Sequence, residues 1–299
     1  MIIEHKYGST QLDKAPTRVV CVGLVEQDAL LALGVVPVGV TKWFGEAPGQ
    51  IFPWATAALG DGAIPTVLDN TDGVPVEKVA ALAPDLIIGQ YAGITDKEYA
   101  LLSKLAPTIA QPGSYVDYGV PWDEATLTIG KAVGRPAAAA AVVAEVTARI
   151  EKETAAHPEF AGQTAAVVTP YEGLFIYGPE DPRGRMLDQL GFTFPEILLK
   201  GKGADFGWSI SAERTSDLAD LGAVVWLDYS DMDAGMKGLF EETTAFKERR
   251  HFDITDGSYY VGHSMVTPLS IPYVLDRYIP QLAAAIDGNP ATKSPAVTD

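Results

Sequence analysis

A single cysteine, Cys21, occurs in the 299 residues. No intramolecular disulfide and no cysteine zinc cluster can therefore form. Cys21 lies in the apolar run RVVCVG and reads as a small buried hydrophobe. The preceding VV lacks the small residues expected before a lipid-modified cysteine. Basic residues are also scarce: 22 Lys and Arg stand against 39 Asp and Glu, a formal net charge of −17. That charge excludes nucleic acid as a partner, because phosphate binding needs a basic footprint. It disfavours an anionic membrane surface and suits a basic partner. No apolar run reaches membrane-spanning length and no signal-peptide pattern is visible. A start at MIIEHKYGS, close to the first strand, fits a cytosolic chain or a mature chain without its leader. No GxGxxG follows a strand, and neither GxxxxGK[ST] nor GxSxG occurs. The four histidines, His5, His157, His251 and His263, form no HExxH and no i,i+4 pair. A three-histidine metal site assembled from distant positions stays open; a capping or surface role is the commoner fate of a lone histidine. Asp228, Asp231 and Asp233 resemble half a calcium loop without its far ligand. Carboxylates abound, but none is placed as an acid/base couple, so catalysis has little support.

What is present is alternation of strand and helix. Strands are expected at Arg18–Gly23, Val35–Val40, Thr66–Asp69, Leu86–Gly89 and Pro107–Pro112. Helices are expected at Leu24–Leu33, Val76–Leu82, Thr95–Leu105 and Trp122–Val133. Strands separated by helices of this length indicate parallel pairing. Later strands are expected at Thr164–Pro170, Leu174–Gly178, Ala223–Tyr229 and Ser258–Gly262. Short helices are expected at Met186–Leu190 and Ala212–Leu218, the latter capped by Ser211. A closing helix over Pro268–Ile286 carries Pro272 and Pro280 and should be kinked. The tail from Gly288 is polar.

In the middle lies PAAAAAVVAEVTARIEKETAAH, Pro136–His157. Pro136 suits a first helical turn, and Glu145 and Arg149 form an i,i+4 pair in the favourable order. At about 1.5 Å per residue this helix spans roughly 30 Å. It reads equally as a strut between two α/β lobes or as one more crossover helix in a single sheet. Glu77 and Glu213 each precede Leu-Ala and a strand at matching offsets, a weak sign of internal duplication.

Aromatic residues recur where strands end: Trp43, Tyr91, Tyr171 and Tyr229, with His263 after YYVG. Ligands of open α/β sheets bind beyond the carboxyl ends of strands. Trp208, Arg183 and Arg185 are expected in glycine-rich loops able to reach the same place. Each aromatic can equally fill its own core.

The segments TRVVCVGLVEQDALLALGVVPVGV, VPVEKVAALAPDLIIGQY, LLSKLAPTI and WDEATLTIGKAVGRPAAAA resemble substrate-binding proteins of ABC importers for ferric siderophores, haem and cobalamin. YGPEDPRGRMLDQLGF, SAERTSDLADLGAVVWL and PLSIPYVLDRYIPQL continue the likeness over about residues 15–285. The resemblance implies an α/β fold of two Rossmann-like lobes, 1–135 and 158–299. The helix 136–157 joins them, and the ligand cleft lies between them. It implies an exported protein, periplasmic or lipid-anchored, whose leader is missing here, and a monomer that carries out no catalysis. Glu77 and Glu213 match the exposed glutamates that meet permease arginines in the family. The implied ligand is a ferric siderophore, with no intrinsic cofactor and no protein metal ligand. Trp43, Tyr91, Tyr171, Trp208 and Tyr229 are then walls, and Arg183 or Arg185 a cation for the chelate. Haem would instead need an axial Tyr91, Tyr171 or His263. An enzyme or metal-binding protein on the same scaffold is the reading from another class.

Overall fold

Runs such as VVC and LIIG, apolar without alternation, become parallel strands covered on both faces. The structure, a computed structural model, describes residues 1–203, 205–255 and 257–295. They divide into two units. The first is Met1–Val146 with Met265–Ile271; the second is Thr147–Ser264 with the chain from Pro272 onward.

The first unit opens with an antiparallel hairpin, β1 (Ile2–His5) and β2 (Gly8–Gln11), which the sequence reading does not anticipate. Then follow β3 (Val19–Cys21), α1 (Glu26–Ala32), β4 (Gly39–Thr41), α2 (Pro53–Leu59), β5 (Thr66–Leu68) and α3 (Val76–Ala81). They continue with β6 (Leu86–Gly89), α4 (Asp96–Leu102), β7 (Thr108–Ala110) and α5 (Trp122–Ala132). The sheet order is β5-β4-β3-β6-β7, every pair parallel. One helix lies between each two successive strands of this sheet, as parallel crossovers require. Every residue of β3, β6 and β7 is buried. Thr95 caps α4 in a reciprocal capping box with Glu98.

Helix α6 (Pro136–Ala156) has 21 residues, with Val146 the last of them in the first unit and Thr147 the first in the second. The expected Glu145–Arg149 pair does not form its ion pairs. Arg149 instead reaches forward to Glu153 at 2.8 Å and to Asp276 at 2.6 Å.

The second unit contains β8 (Ala165–Thr169), β9 (Leu174–Tyr177), α7 (Pro182–Gln189), β10 (Gly207–Ile210), β11 (Ala223–Leu227) and α8 (Ala234–Glu241). It continues with α9 (Thr244–Lys247), β12 (His251–Ile254), α10 (Gly257–Met265) and α11 (Ser270–Ile286). Its sheet runs β10-β9-β8-β11-β12, with β8, β11 and β12 parallel and β9 antiparallel to both neighbours. Three expectations fail here. SYYVG is not a strand but part of α10, because that helix is buried on nearly all sides and shows no period. The last strand is β12, and β10 was not foreseen. Ser211 precedes a 3-10 helix, Ala212–Leu218, and its side chain makes no cap. Pro272 sits in the first turn of α11, where its missing N–H costs nothing, and Pro280 lies within the helix.

Residues 265–271 return the chain to the first unit. Thr267 and Ser270 exchange backbone-to-hydroxyl bonds of 2.9 and 3.0 Å. The Thr267 hydroxyl donates to the Asp28 carboxylate, which also accepts the Trp54 indole N–H at 2.7 Å. Asp28 is 0% exposed and its Oδ1 has no partner. Burial pushes its pKa from 3.8 to about 6, against the two hydrogen bonds, which lower it. A carboxyl whose folded pKa is raised binds its proton more tightly in the folded state. Folding stability therefore falls as pH rises through the window from 3.8 to about 6, and is level above it. Asp28→Asn mimics the protonated form. In urea unfolding the variant should match the wild type near pH 4 and exceed it by about 3 kcal/mol at pH 8. A pH-independent difference would contradict this assignment.

Candidate ligand-binding residues

In the first unit the carboxyl ends of β3, β4 and β6 carry the candidate residues. After β3 the chain turns at Gly23, where a Cβ would lie 1.9 Å from the Glu26 carboxylate. A larger residue there would displace the carboxylate from its present position. Glu26 is 2% exposed and accepts the backbone N–H of Tyr91 at 2.8 Å and of Val25 at 3.1 Å. Burial raises its pKa, and the backbone donors oppose that rise. The Leu24 N–H returns a bond to the Tyr91 carbonyl at 3.1 Å. The loop after β3 and the loop after β6 are thus latched together at Tyr91.

Tyr91 is 5% exposed. Its ring lies 6.1 Å from that of Trp43 and 5.3 Å, edge-on, from that of Tyr118. Trp43 follows β4, is half-buried, and packs on Phe44 at 4.8 Å. Its backbone N–H is fixed by the Gln50 side chain at 3.0 Å. Tyr118 occupies the left-handed region at φ 61° and donates its hydroxyl to the Ala92 carbonyl at 3.1 Å. Beside them the Gln90 amide is 1% exposed with neither of its polar atoms hydrogen-bonded. Of these residues the sequence singles out Trp43 and Tyr91 as candidates; Glu26, Phe44, Gln90 and Tyr118 join them only through packing in the structure.

In the second unit, α7 begins four residues earlier than expected, so Arg183 and Arg185 lie in its first turns and not in a loop. The signal was available: Asp181-Pro182 is an N-cap followed by proline at the first helical position. Asp181 caps the helix through the Arg183 N–H at 2.8 Å. The same carboxylate holds the Arg183 guanidinium through Nε at 2.8 Å and Nη2 at 2.9 Å. The guanidinium also stacks 3.8 Å above the Tyr177 ring. Arg185 is half-buried and donates to the Glu180 carbonyl at 3.2 Å. Asp228 follows β11 in the left-handed conformation. Burial first, then the Asp228 and Tyr177 charges and a hydrogen bond to Asp228, push the Tyr260 hydroxyl pKa up.

The remaining expected residues fall in different places. Tyr171 follows β8 and is 60% exposed. Trp208 is not in a loop but in β10, buried, with its indole N–H on the Leu198 carbonyl at 3.2 Å. The Tyr229 ring packs into the core against Trp226 at 5.5 Å and Phe240 at 6.0 Å. His263 is on α10, not at a strand end, and is 0% exposed; burial and then the Arg183 charge lower its pKa to about 3. Glu77 and Glu213 are exposed in the first turns of their helices. Asp233 caps α8 through two backbone N–H groups, so the half calcium loop is helix capping. Among the described residues no three His, Cys, Asp or Glu side chains group as a metal site, and no helix is long and apolar enough to cross a membrane.

Comparison with known proteins places this geometry. The family model described as periplasmic binding protein matches residues 19–256. YhfQ of Bacillus subtilis, named as an ABC transporter substrate-binding lipoprotein, is 35% identical over 221 residues. The match covers 74% of this chain and 62% of YhfQ, so it spans less than two thirds of that relative. A periplasmic solute binding protein from Mycobacterium smegmatis superposes with a TM-score of 0.80 at 33% identity, covering 95% of this chain and 98% of the other. PiaA from Streptococcus pneumoniae, solved in complex with ferrichrome, gives a TM-score of 0.80 at 28% identity, covering 96% and 99%. These matches bear out the expected fold, two α/β units whose sheets are mostly parallel, and the chain belongs to the periplasmic binding protein family.

Proposed function

We propose that this protein captures a ferric siderophore outside the cytoplasm and delivers it to an ABC permease, as a monomer and without chemistry on the chelate. The observation that carries this reading is the likeness to PiaA, solved with ferrichrome, over 96% of the chain. The location is periplasmic or lipid-anchored.

A ferric siderophore saturates its iron with its own oxygen donors, so the protein supplies walls and hydrogen bonds, not metal ligands. In the first unit the walls are Trp43, Phe44, Tyr91 and Tyr118, held by the Glu26 latch. In the second unit Tyr171 offers an exposed ring, and Arg183 and Arg185 offer guanidinium groups. Trp208, Tyr229 and His263 are weaker candidates: the Trp208 indole N–H is bonded to the Leu198 carbonyl, the Tyr229 ring packs on Trp226, and His263 is 0% exposed. The charge of Arg183 is balanced by Asp181 at 0% exposure. A neutral or cationic hydroxamate chelate therefore suits these residues better than a triply anionic catecholate.

Tryptophan fluorescence tests this. A ferric hydroxamate should quench emission saturably at submicromolar concentration, on the order of −8 kcal/mol of binding or better. Trp43→Phe should remove most of the quenching, and the iron-free chelator should give little. No saturable response to ferric hydroxamate, ferric catecholate or haem would overturn the reading.

Glu77 and Glu213 are the proposed permease contacts. Exposed carboxylates in the first turn of a helix suit a basic rim and set orientation. Replacing both by Ala should leave chelate affinity within about twofold while lowering permease-dependent uptake by about tenfold or more, since rim charges act on docking and not on the distant ligand. Equal loss in both measurements would argue for a folding defect or a ligand role instead.

A further inference from the structure

The amino end of β12, the edge strand of the second sheet, borders an open hollow of about 480 Å3. Phe246, Lys247, Arg249, His251, Lys293 and Ser294 line it. Three of these six are cations, and none of the described lining residues is a carboxylate. In a chain with 22 basic and 39 acidic residues, that composition runs against the overall charge. One of the three cations is shared: Lys247 donates to the Glu242 carboxylate at 2.9 Å and to its carbonyl at 2.8 Å.

Several of the other lining residues are held by local contacts. Arg249 sits in the left-handed region at φ 57°, closing the turn after α9 with its N–H on the Phe246 carbonyl at 3.0 Å. The His251 imidazole lies flat on the Phe246 ring, with centroids 5.1 Å apart and planes 14° apart. Phe240 approaches it edge-on at 5.1 Å and Tyr229 lies tilted at 6.1 Å. Burial, and then the Arg249 charge, lower the His251 pKa to about 4. The ring is therefore neutral at pH 7 and adds a hydrogen-bonding face without repelling the cations. His251 pairs with Val224 near the start of β11, whereas Tyr171, Asp228 and Tyr229 follow the carboxyl ends of β8 and β11. The hollow is thus at the amino end of that sheet, whereas Tyr171 and Asp228 follow its carboxyl ends; the Tyr229 ring reaches back to lie 6.1 Å from His251.

We propose that this hollow binds a small multivalent oxyanion, a polyphosphate or a polycarboxylate. Lys and Arg side chains at the border of a hollow can supply charge-assisted hydrogen bonds to such groups, and a basic lining raises the local anion concentration against the negative field of the whole chain.

The test is an NMR titration of the His251 ring protons in the full chain at pH 7, with sodium pyrophosphate in one arm and iron-free citrate in the other. Sodium chloride at matched ionic strength is the control. Saturable movement of His251, with half-saturation in the low millimolar range or tighter (about −4 kcal/mol or better), supports the proposal. Response to pyrophosphate alone assigns a polyphosphate, and response to citrate alone a polycarboxylate. The double variant Arg249→Gln with Lys293→Gln should weaken binding about tenfold or more, while the single Lys293→Gln, in the polar tail, should fold as the wild type and weaken it less. No saturable movement by either anion, movement matched by sodium chloride, or unchanged affinity in the double variant would overturn the site.

Discussion

A buried carboxylate must find donors, and in the first unit the donors of Glu26 are the backbone N–H groups of Val25 and Tyr91. This constraint sets much of what surrounds it. Gly23 leaves room for the carboxylate, which a Cβ there would overlap. The turn after β6 has to carry its N–H inward, which presents the Tyr91 ring to Trp43 and Tyr118. Charge-assisted bonds to backbone donors are stronger than neutral ones, and they hold a loop without needing a strand partner. The strand-end loops of an open α/β sheet are otherwise its least constrained parts.

The second unit solves a related problem with a different carboxylate. Asp181 caps α7 and grips the Arg183 guanidinium at once. With side-chain exposures of 0% and 5%, neither charge is left to solvent. Removing one partner of such a pair leaves an uncompensated buried charge, which costs far more than the pair contributes. The pairing leaves the Arg183 charge already met by Asp181. Both units thus place a desolvated carboxylate at a junction after a strand, and in each an aromatic ring is positioned by it or by its partner.

Much of the fold was legible in the sequence. LIIG, AAVVT and AVVWL are strands covered on both faces, and such strands appear as unbroken apolar runs. Pro136 marks the start of α6, whose end at Ala156 lies just before His157-Pro158. What was lost has definite causes. HFDI and GWSI are four-residue strands, too short to outweigh their polar members. SYYVG was misread because aromatic and β-branched residues favour strands on average, and tertiary burial overrode that preference. For the candidate site, Trp43 and Tyr91 could be found because they follow strands. Glu26 could not: in VEQD it looks like an ordinary first-turn acid, and only the packing of β6 beside β3 makes it interior. Trp208 and Tyr229 show the converse, since nothing local in the sequence tells an aromatic that packs against its own core from one left free of it.

The measurement that tests the Glu26 latch most directly is amide hydrogen exchange at Tyr91, read by NMR in the wild type and in Glu26→Gln. Glutamine presents one acceptor and an NH2 group to the same backbone donors, so at least one N–H loses its partner. The account predicts that Tyr91 exchange speeds up by about tenfold or more, in keeping with loss of a charged hydrogen bond of roughly 1.5–3 kcal/mol, while Ile88, inside β6, stays protected. Unchanged protection at Tyr91 would show that the loop is held by something other than the buried carboxylate.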